Sequence, residues 1–249
     1  MTETAPISFS QALITALRDA RSITVLTGAG ISAESGIPTF RDSQTGMWAK
    51  YDPHELATPE AFEKNPQLVL DWYRWRHNLV MQSKPNPGHH ALVALERRVP
   101  QFTLITQNVD GLHRTAGSWR VIELHGNLDH LRCPKEGTLL EGWPEEKLPH
   151  CPSCGSLLRP NVVWFGESLP VDALQSALDA STHCDVFISV GTSGVVEPAA
   201  SLPYEALRAK AVVVEINPTP TPLTVYVQHH FPYPAGRFLP ALIEAAWPE

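Results

Sequence analysis

Five short runs of apolar and β-branched residues recur along the chain, at positions 23–27, 102–106, 121–124, 185–190 and 211–216, and each reads as a strand buried on both faces. Four of them stop at a small or polar cluster: Gly28-Ala29-Gly30, Gln107-Asn108-Val109-Asp110, Gly191-Thr192-Ser193 and Asn217-Pro218-Thr219. The run at 121–124 stops instead at His125-Gly126-Asn127. Helical stretches, including 87–98 and 171–180, lie between the runs. Strands that alternate with helices predict an α/β fold, a Rossmann-like doubly wound parallel sheet that takes its ligands at the carboxyl ends of the strands. The polar clusters fall at those ends.

Two regions interrupt the alternation. Residues 45–85 are rich in Trp, Tyr and helix-compatible sequence and read as a helical insertion. Residues 128–160 are rich in Cys, Pro, Gly and charge, with few core-forming runs, and read as a small Cys-containing, zinc-ribbon-like module that needs a staple. With no internal repeat and no low-complexity linker, the expectation is a single catalytic domain spanning residues 1–249.

Composition narrows the function. A formal net charge of -7 with no long Lys/Arg run argues against specific nucleic-acid binding, which needs a basic face. No segment approaches the roughly 20 apolar residues that span a bilayer, and residues 1–20 read as a helix capped by Ser8 or Ser10 with Leu13, Ile14 and Leu17 on its apolar face. Four cysteines do not make a secreted disulfide scaffold, so a cytoplasmic protein without a membrane partner is expected. The sequence does not set the oligomeric state.

Three motifs carry chemistry. The stretch from Thr27 through Gly28, Ala29, Gly30, Ile31, Ser32, Gly36, Ile37, Pro38 and Phe40 to Arg41 follows a strand with glycines. Glycines there let the backbone turn sharply and approach a pyrophosphate. The third glycine comes too late for the usual GxGxxG, and a bare Gly-Ala-Gly turn is equally a structural turn. In Thr106-Gln107-Asn108-Val109-Asp110-Gly111-Leu112-His113, amides and a carboxylate at a strand end suit ribose hydroxyls and a carboxamide, or serve as a turn and helix cap. In Glu123-Leu124-His125-Gly126-Asn127, a histidine at the same edge suits a general base, because its pKa lies near neutrality.

With these motifs in this order, the chain resembles the sirtuins, the NAD-dependent protein-lysine deacylase family. The resemblance runs from about Arg21 to the C-terminus and takes in Arg159-Pro160-Asn161-Val162-Val163-Trp164-Phe165-Gly166-Glu167, Gly191-Thr192-Ser193 and Glu215-Ile216-Asn217-Pro218. It departs from the family pattern at Asp42 and Gly194. It implies that Gly28, Ala29, Gly30, Ile37, Pro38, Phe40 and Arg41 shape the cofactor pocket, and that Gln107, Asn108 and Asp110 hold the nicotinamide and its ribose. Gly191, Thr192, Ser193, Asn217, Pro218 and Ala235 would serve the adenosine side. In the mechanism it implies, the acyl-lysine carbonyl oxygen attacks the ribose carbon as nicotinamide leaves, and His125 is the general base that activates a ribose hydroxyl toward the resulting imidate. NAD is consumed as a co-substrate, and the products are free lysine, nicotinamide and O-acyl-ADP-ribose. Val163 and Phe165 would border the tunnel for acyl-lysine proteins or peptides, which pair by strand addition; Val-Val-Trp-Phe also reads as a plain core strand.

Within Asp71-Trp72-Tyr73-Arg74-Trp75-Arg76, Tyr73 and Arg76 stand three apart and share a helix face. An arginine in a pocket binds a carboxylate bidentately and a tyrosine adds a hydroxyl donor, although arginines on helices are mostly solvated. In sirtuins of the desuccinylase type this pair selects succinyl, malonyl and glutaryl groups, without excluding acetyl. Sirtuins commonly carry two Cys pairs on a structural zinc. Here Cys151-Pro152-Ser153-Cys154 is intact, but Cys133 is followed by Glu136 where a second cysteine would stand. A zinc on Cys133, Cys151 and Cys154, completed by Glu136, His150 or water, is one reading; a module held by packing alone is the other. Cys184 reads as a buried core thiol. The rivals are an NAD-linked dehydrogenase, for which no hydride-transfer site is assignable, a non-catalytic NAD or ADP-ribose module, and an ADP-ribosyltransferase on the same scaffold.

Overall fold

The computed structural model describes residues 7–39 and 51–248. In chain order, α1 (Gln11–Asp19) leads into β1 (Ser22–Thr27). Then α2 (Pro53–Leu56), α3 (Pro59–Lys64), α4 (Pro66–Gln82) and α5 (Pro87–Glu96) precede β2 (Gln101–Thr106). The middle of the chain holds α6 (Leu112–Ala116), β3 (Val121–Glu123), β4 (Gly126–Arg132), β5 (Leu139–Glu141) and β6 (Arg159–Val162). The last part runs through α7 (Val171–Thr182), β7 (Val186–Val190), α8 (Leu202–Arg208), β8 (Val212–Ile216), β9 (His229–Phe231) and α9 (Ala235–Ala246).

All five expected strands form, within one six-stranded parallel sheet ordered β3-β2-β1-β7-β8-β9. The sixth, β9, is three half-buried residues at the sheet's edge, His-His-Phe, and has no apolar run by which to recognise it. The strands read as continuous apolar runs because both faces are covered. On one face Val25 and Ile188 join Leu13, Leu92 and Phe238 of α1, α5 and α9. On the other, Leu26 and Phe187 join Ala177, Leu202 and Ala206 of α7 and α8. Strand order reverses at β1. Thr27 lies opposite Thr106 of β2 on one side and Val190 of β7 on the other, so three loops leave the sheet side by side. A reversal of this kind opens the crevice in which doubly wound sheets bind ligands.

The expected insertion folds, over its described part, as α2, α3 and α4. Three of the chain's helices start on the same device, a Thr or Asn cap followed by proline. Thr58 accepts from Ala61 N, Asn65 from Leu68 N and Asn86 from Gly88 N. Proline at the next position loses nothing, because its missing N–H would have been unpaired. At α1 the cap is Ser10, whose Oγ accepts from Leu13 N. The Cys-containing region forms a separate antiparallel sheet, β5-β4-β6, with a small core of Leu131, Cys133, Cys151 and Leu158.

The glycines of the first motif turn out to be needed for contact between loops. Gly28 N donates to Val190 O at 3.0 Å, Gly30 N to Gly191 O at 2.8 Å, and Gly191 N to Ile216 O at 2.9 Å. A Cβ on Gly30 would stand 2.7 Å from Gly191 Cα, and one on Gly191, itself at φ +60°, would stand 2.6 Å from Ile31 N. These clashes are with backbone, which cannot swing aside as a side chain does. Gly30→Ala should therefore destabilise the fold by about 1–3 kcal/mol, as overpacking does. In a chain of this size that lowers Tm by at least about 2 °C. An unchanged melting temperature would mean that the two loops do not touch.

Candidate active site

A cavity of about 420 Å³ opens at the reversal, walled by the loops after β1, β2, β6, β7 and β8 and by one face of α4. The structure brings into its wall Gly28, Ala29, Gly30, Ile37 and Pro38; Gln107, Asn108 and Asp110; His125; Gly191, Thr192, Ser193 and Asn217; and Tyr73, Arg76, Val163 and Phe165. Pro218 and Ala235 are not in the wall; Ala235, the first residue of α9, is buried in the core. Phe40, Arg41 and Asp42 lie outside the described residues.

The polar groups of the wall hold one another. Asn108 Nδ2 donates to Gly28 O at 3.1 Å and to Ser32 Oγ at 3.2 Å, while Ser32 Oγ donates to Asp110 Oδ2 at 2.7 Å. The other oxygen, Oδ1, accepts from Leu112 N at 2.9 Å and closes an Asx turn before α6, whose N-cap is Gly111. Burial raises the Asp110 carboxyl above its usual pKa, and these two donors and the Arg76 charge pull it back. Gln107 Nε2 donates to Thr192 Oγ1 at 2.9 Å and ties the β2 loop to the β7 loop. Behind the cavity, buried Asn86 donates to Ile31 O and Ser35 Oγ at 2.7 and 2.9 Å, and Glu34 Oε2 accepts from Gly236 N at 2.6 Å. The β1 loop is thus fixed from both sides. Sequence reading missed Ser32 in this network, although it stands inside the glycine motif.

His125 sits where β3 ends, with Nδ1 at 2.8 Å from Gln107 O. A carbonyl oxygen can only accept, so Nδ1 carries the proton and Nε2 keeps its lone pair. Burial lowers the imidazole pKa below the ordinary 6.5, and the Gln107 bond partly offsets this. The net lowering leaves a neutral imidazole with its lone pair on Nε2 at neutral pH.

Tyr73 and Arg76 reach the cavity from α4. Burial raises the phenol pKa far above 10, which keeps it protonated, and lowers that of the Arg76 guanidinium, with Tyr73 and Asp110 opposing the shift. Arg74 turns away instead: its Nη1 and Nη2 donate to Pro144 O and Glu146 O at 2.7 and 2.8 Å. The segment after β6 is pinned by Val163 N to His125 O and Phe165 N to Ala57 O, each 2.9 Å, and leaves Phe165 exposed.

Away from the cavity, the sulfurs of Cys133, Cys151 and Cys154 and a carboxylate oxygen of Glu136 lie within 4.8 Å of one another. Cys133 Sγ and Cys154 Sγ are 3.5 Å apart, and Cys151 Sγ is 3.8 Å from Glu136 Oε2. Thiolates about 2.3 Å from a tetrahedral zinc stand roughly 3.8 Å from each other, so this donor set fits zinc. Glu136 offers the fourth donor of the set; His150 is exposed and outside the cluster. A zinc there could cross-link the turn at 133–138 to that at 151–156, and none of its ligands reaches the cavity. Cys184 is in the core, as expected, with burial pushing its thiol up to about 11.

A doubly wound sheet with a glycine-lined crevice, amides and a carboxylate on one wall and a neutral histidine on its floor defines a nucleotide-using enzyme. The Sir2 family model matches residues 28–198, more than half of the chain. An NAD-dependent protein deacylase of Aquifex aeolicus is 55% identical over 213 residues, covering 84% of this chain and 89% of that protein. Among solved structures, a Sir2 homologue–NAD complex superposes with a TM-score of 0.92 at 44% identity, covering 98% of this chain and 96% of the other. A Sir2–p53 peptide–NAD+ complex does so with a TM-score of 0.85 at 33% identity, covering 95% and 98%. The chain belongs to the Sir2 family.

The His125 geometry is open to direct measurement. Nitrogen-15 NMR of the imidazole should show the Nδ1–H tautomer at neutral pH and a titration midpoint below 6.5. The Nε2–H tautomer, or a midpoint above 6.5, would contradict it.

Proposed function

We propose that residues 1–249 act as one NAD-dependent protein-lysine deacylase domain that favours succinyl, malonyl and glutaryl groups and also accepts acetyl. The observation that carries this reading is that Tyr73 and Arg76 share one cavity with Asn108, Asp110 and His125. NAD is a substrate here, held with its nicotinamide and ribose against Gln107, Asn108 and Asp110 and its adenosine against Thr192, Ser193 and Asn217. The extended peptide lies along Val163 and Phe165 by strand addition and extends its acyl-lysine inward. The bond between nicotinamide and ribose breaks as the acyl oxygen takes the ribose carbon. This step needs alignment and exclusion of water more than it needs an acid. His125 Nε2, with its lone pair free, then takes the proton of a ribose hydroxyl as that oxygen attacks the acyl carbon. One water then adds at the acyl carbon as the lysine amine leaves, and free lysine, nicotinamide and O-acyl-ADP-ribose result.

The acyl preference follows from charge. A carboxylate at the end of a succinyl chain is costly to bury without a partner, and Arg76 supplies one. An acetyl group brings no charge, and Asp110 still attracts the Arg76 guanidinium in its absence. Free thiols at Cys133, Cys151, Cys154 and Cys184 agree with work in a reducing compartment such as the cytoplasm. No helix among the described residues is long and apolar enough to cross a membrane.

Arg76→Met tests the clamp, with succinylated and acetylated versions of one peptide. Losing one partner of a buried charge pair costs at least about 2 kcal/mol, so kcat/KM for the succinyl peptide should fall about 30-fold or more. The acetyl peptide should lose much less. Equal losses on both would refute the preference for acidic acyl groups.

A further inference from the structure

Trp164 follows Val163 on the segment that borders the cavity, and its side chain is buried. It is 2% exposed, and its indole Nε1 donates to Tyr73 Oη at 3.0 Å. An indole N–H can only donate, so the phenolic oxygen must accept. The one proton that Tyr73 carries is then left for whatever enters the cavity. Burial keeps that proton on the oxygen.

The indole is itself held in place. Trp164 N donates to Glu167 Oε2 at 2.8 Å, and Gly166, at φ +86°, lets the chain turn tightly enough for Glu167 to fold back. Arg159 donates through Nη1 and Nη2 to both oxygens of Glu167, at 2.5 and 2.8 Å, and its guanidinium lies over the indole ring 3.4 Å from the centroid. Phe62 packs on the ring, with centroids 5.3 Å apart. Arg159 also donates to Val162 O at 3.0 Å, so the bridge between residues 159 and 167 closes over the segment that carries the tryptophan.

We propose that Trp164 is a specificity-determining positioning residue, whose indole N–H fixes the Tyr73 hydroxyl as a donor toward the carboxylate of an acidic acyl-lysine. This rests on the acidic-acyl reading above and extends its specificity device from two residues to a chain of five: Arg159, Glu167, Trp164, Tyr73 and Arg76. A hydroxyl that can rotate presents its lone pair or its proton with equal ease, and a lone pair repels a carboxylate. With the lone pair engaged by the indole, the acidic acyl group meets a donor. An acetyl group has no use for that donor, so the effect falls on the choice between the two.

The test is the ratio of kcat/KM for a succinylated over an acetylated form of one peptide, measured in full-length wild type, Trp164→Phe, Tyr73→Phe and the double variant. Trp164→Phe keeps an aromatic ring for Arg159 and Phe62 to pack on and removes the donor together with part of the indole's volume. It should lower the ratio roughly 10-fold, about the worth of one hydrogen bond to a charged group, mainly through KM for the succinyl peptide. Because Trp164 acts through Tyr73, the double variant should lose no more of the ratio than Tyr73→Phe alone. If Trp164→Phe does not fold, Glu167→Gln, which loosens the grip on the indole, should lower the ratio in the same direction. A ratio unchanged in these variants, or single losses that multiply in the double one, overturns the role of Trp164. The acidic-acyl reading survives that result if Arg76→Met still destroys the preference, whereas a wild type with no succinyl preference overturns both.

Discussion

The backbone contact between Gly30 and Gly191 is the constraint around which the site is built. Parallel strands in a doubly wound sheet diverge in connectivity at the reversal, and their loops would ordinarily stand apart there. Here the loop after β1 donates directly to the loop after β7, at a distance that excludes any Cβ on either partner. That contact sets the floor of the crevice. It also fixes where Ser32 stands, and Ser32 is the group through which Asn108 and Asp110 are held.

From that floor the site is organised by using up hydrogen-bonding capacity until defined groups remain. Gln107 O accepts the hydrogen bond of His125 Nδ1–H and leaves a lone pair at Nε2. Trp164 takes the oxygen of Tyr73 and leaves a proton. In both cases a neighbour with a single possible role, a carbonyl or an indole N–H, decides the role of an ambivalent one. Such preorganisation suits a reaction that depends on placement. The cysteine cluster lies apart from this cavity, in two turns beside a small sheet that has little core of its own.

Much of this was legible in the sequence, and the exceptions have physical reasons. The five strands that sheet packing buries on both faces show as apolar runs, and the clusters that end them mark the cavity. β9 carries His-His-Phe at an edge, where burial imposes no pattern. Periodicity put Tyr73 and Arg76 on one face of α4, but only the fold shows that Arg74 is taken by the carbonyls of Pro144 and Glu146. The pairing of Trp164 with Tyr73 joins positions 91 residues apart, and no local signal encodes it. Glu136 was one of three candidates for the fourth metal ligand, and the turn at 133–138 brings it to the three sulfurs. Ala235, expected on the adenosine side, is a core residue at the start of α9, and Pro218 falls outside the wall.

The central claim is that this cavity couples the breaking of NAD to the removal of an acyl group from lysine. The most direct measurement is a mass-spectrometric balance of wild-type protein, NAD and a succinyl-lysine peptide. The account predicts one nicotinamide released for each lysine unmasked, with the succinyl group recovered on ADP-ribose. Free succinate formed without nicotinamide release, or reduction of NAD to NADH, would contradict it.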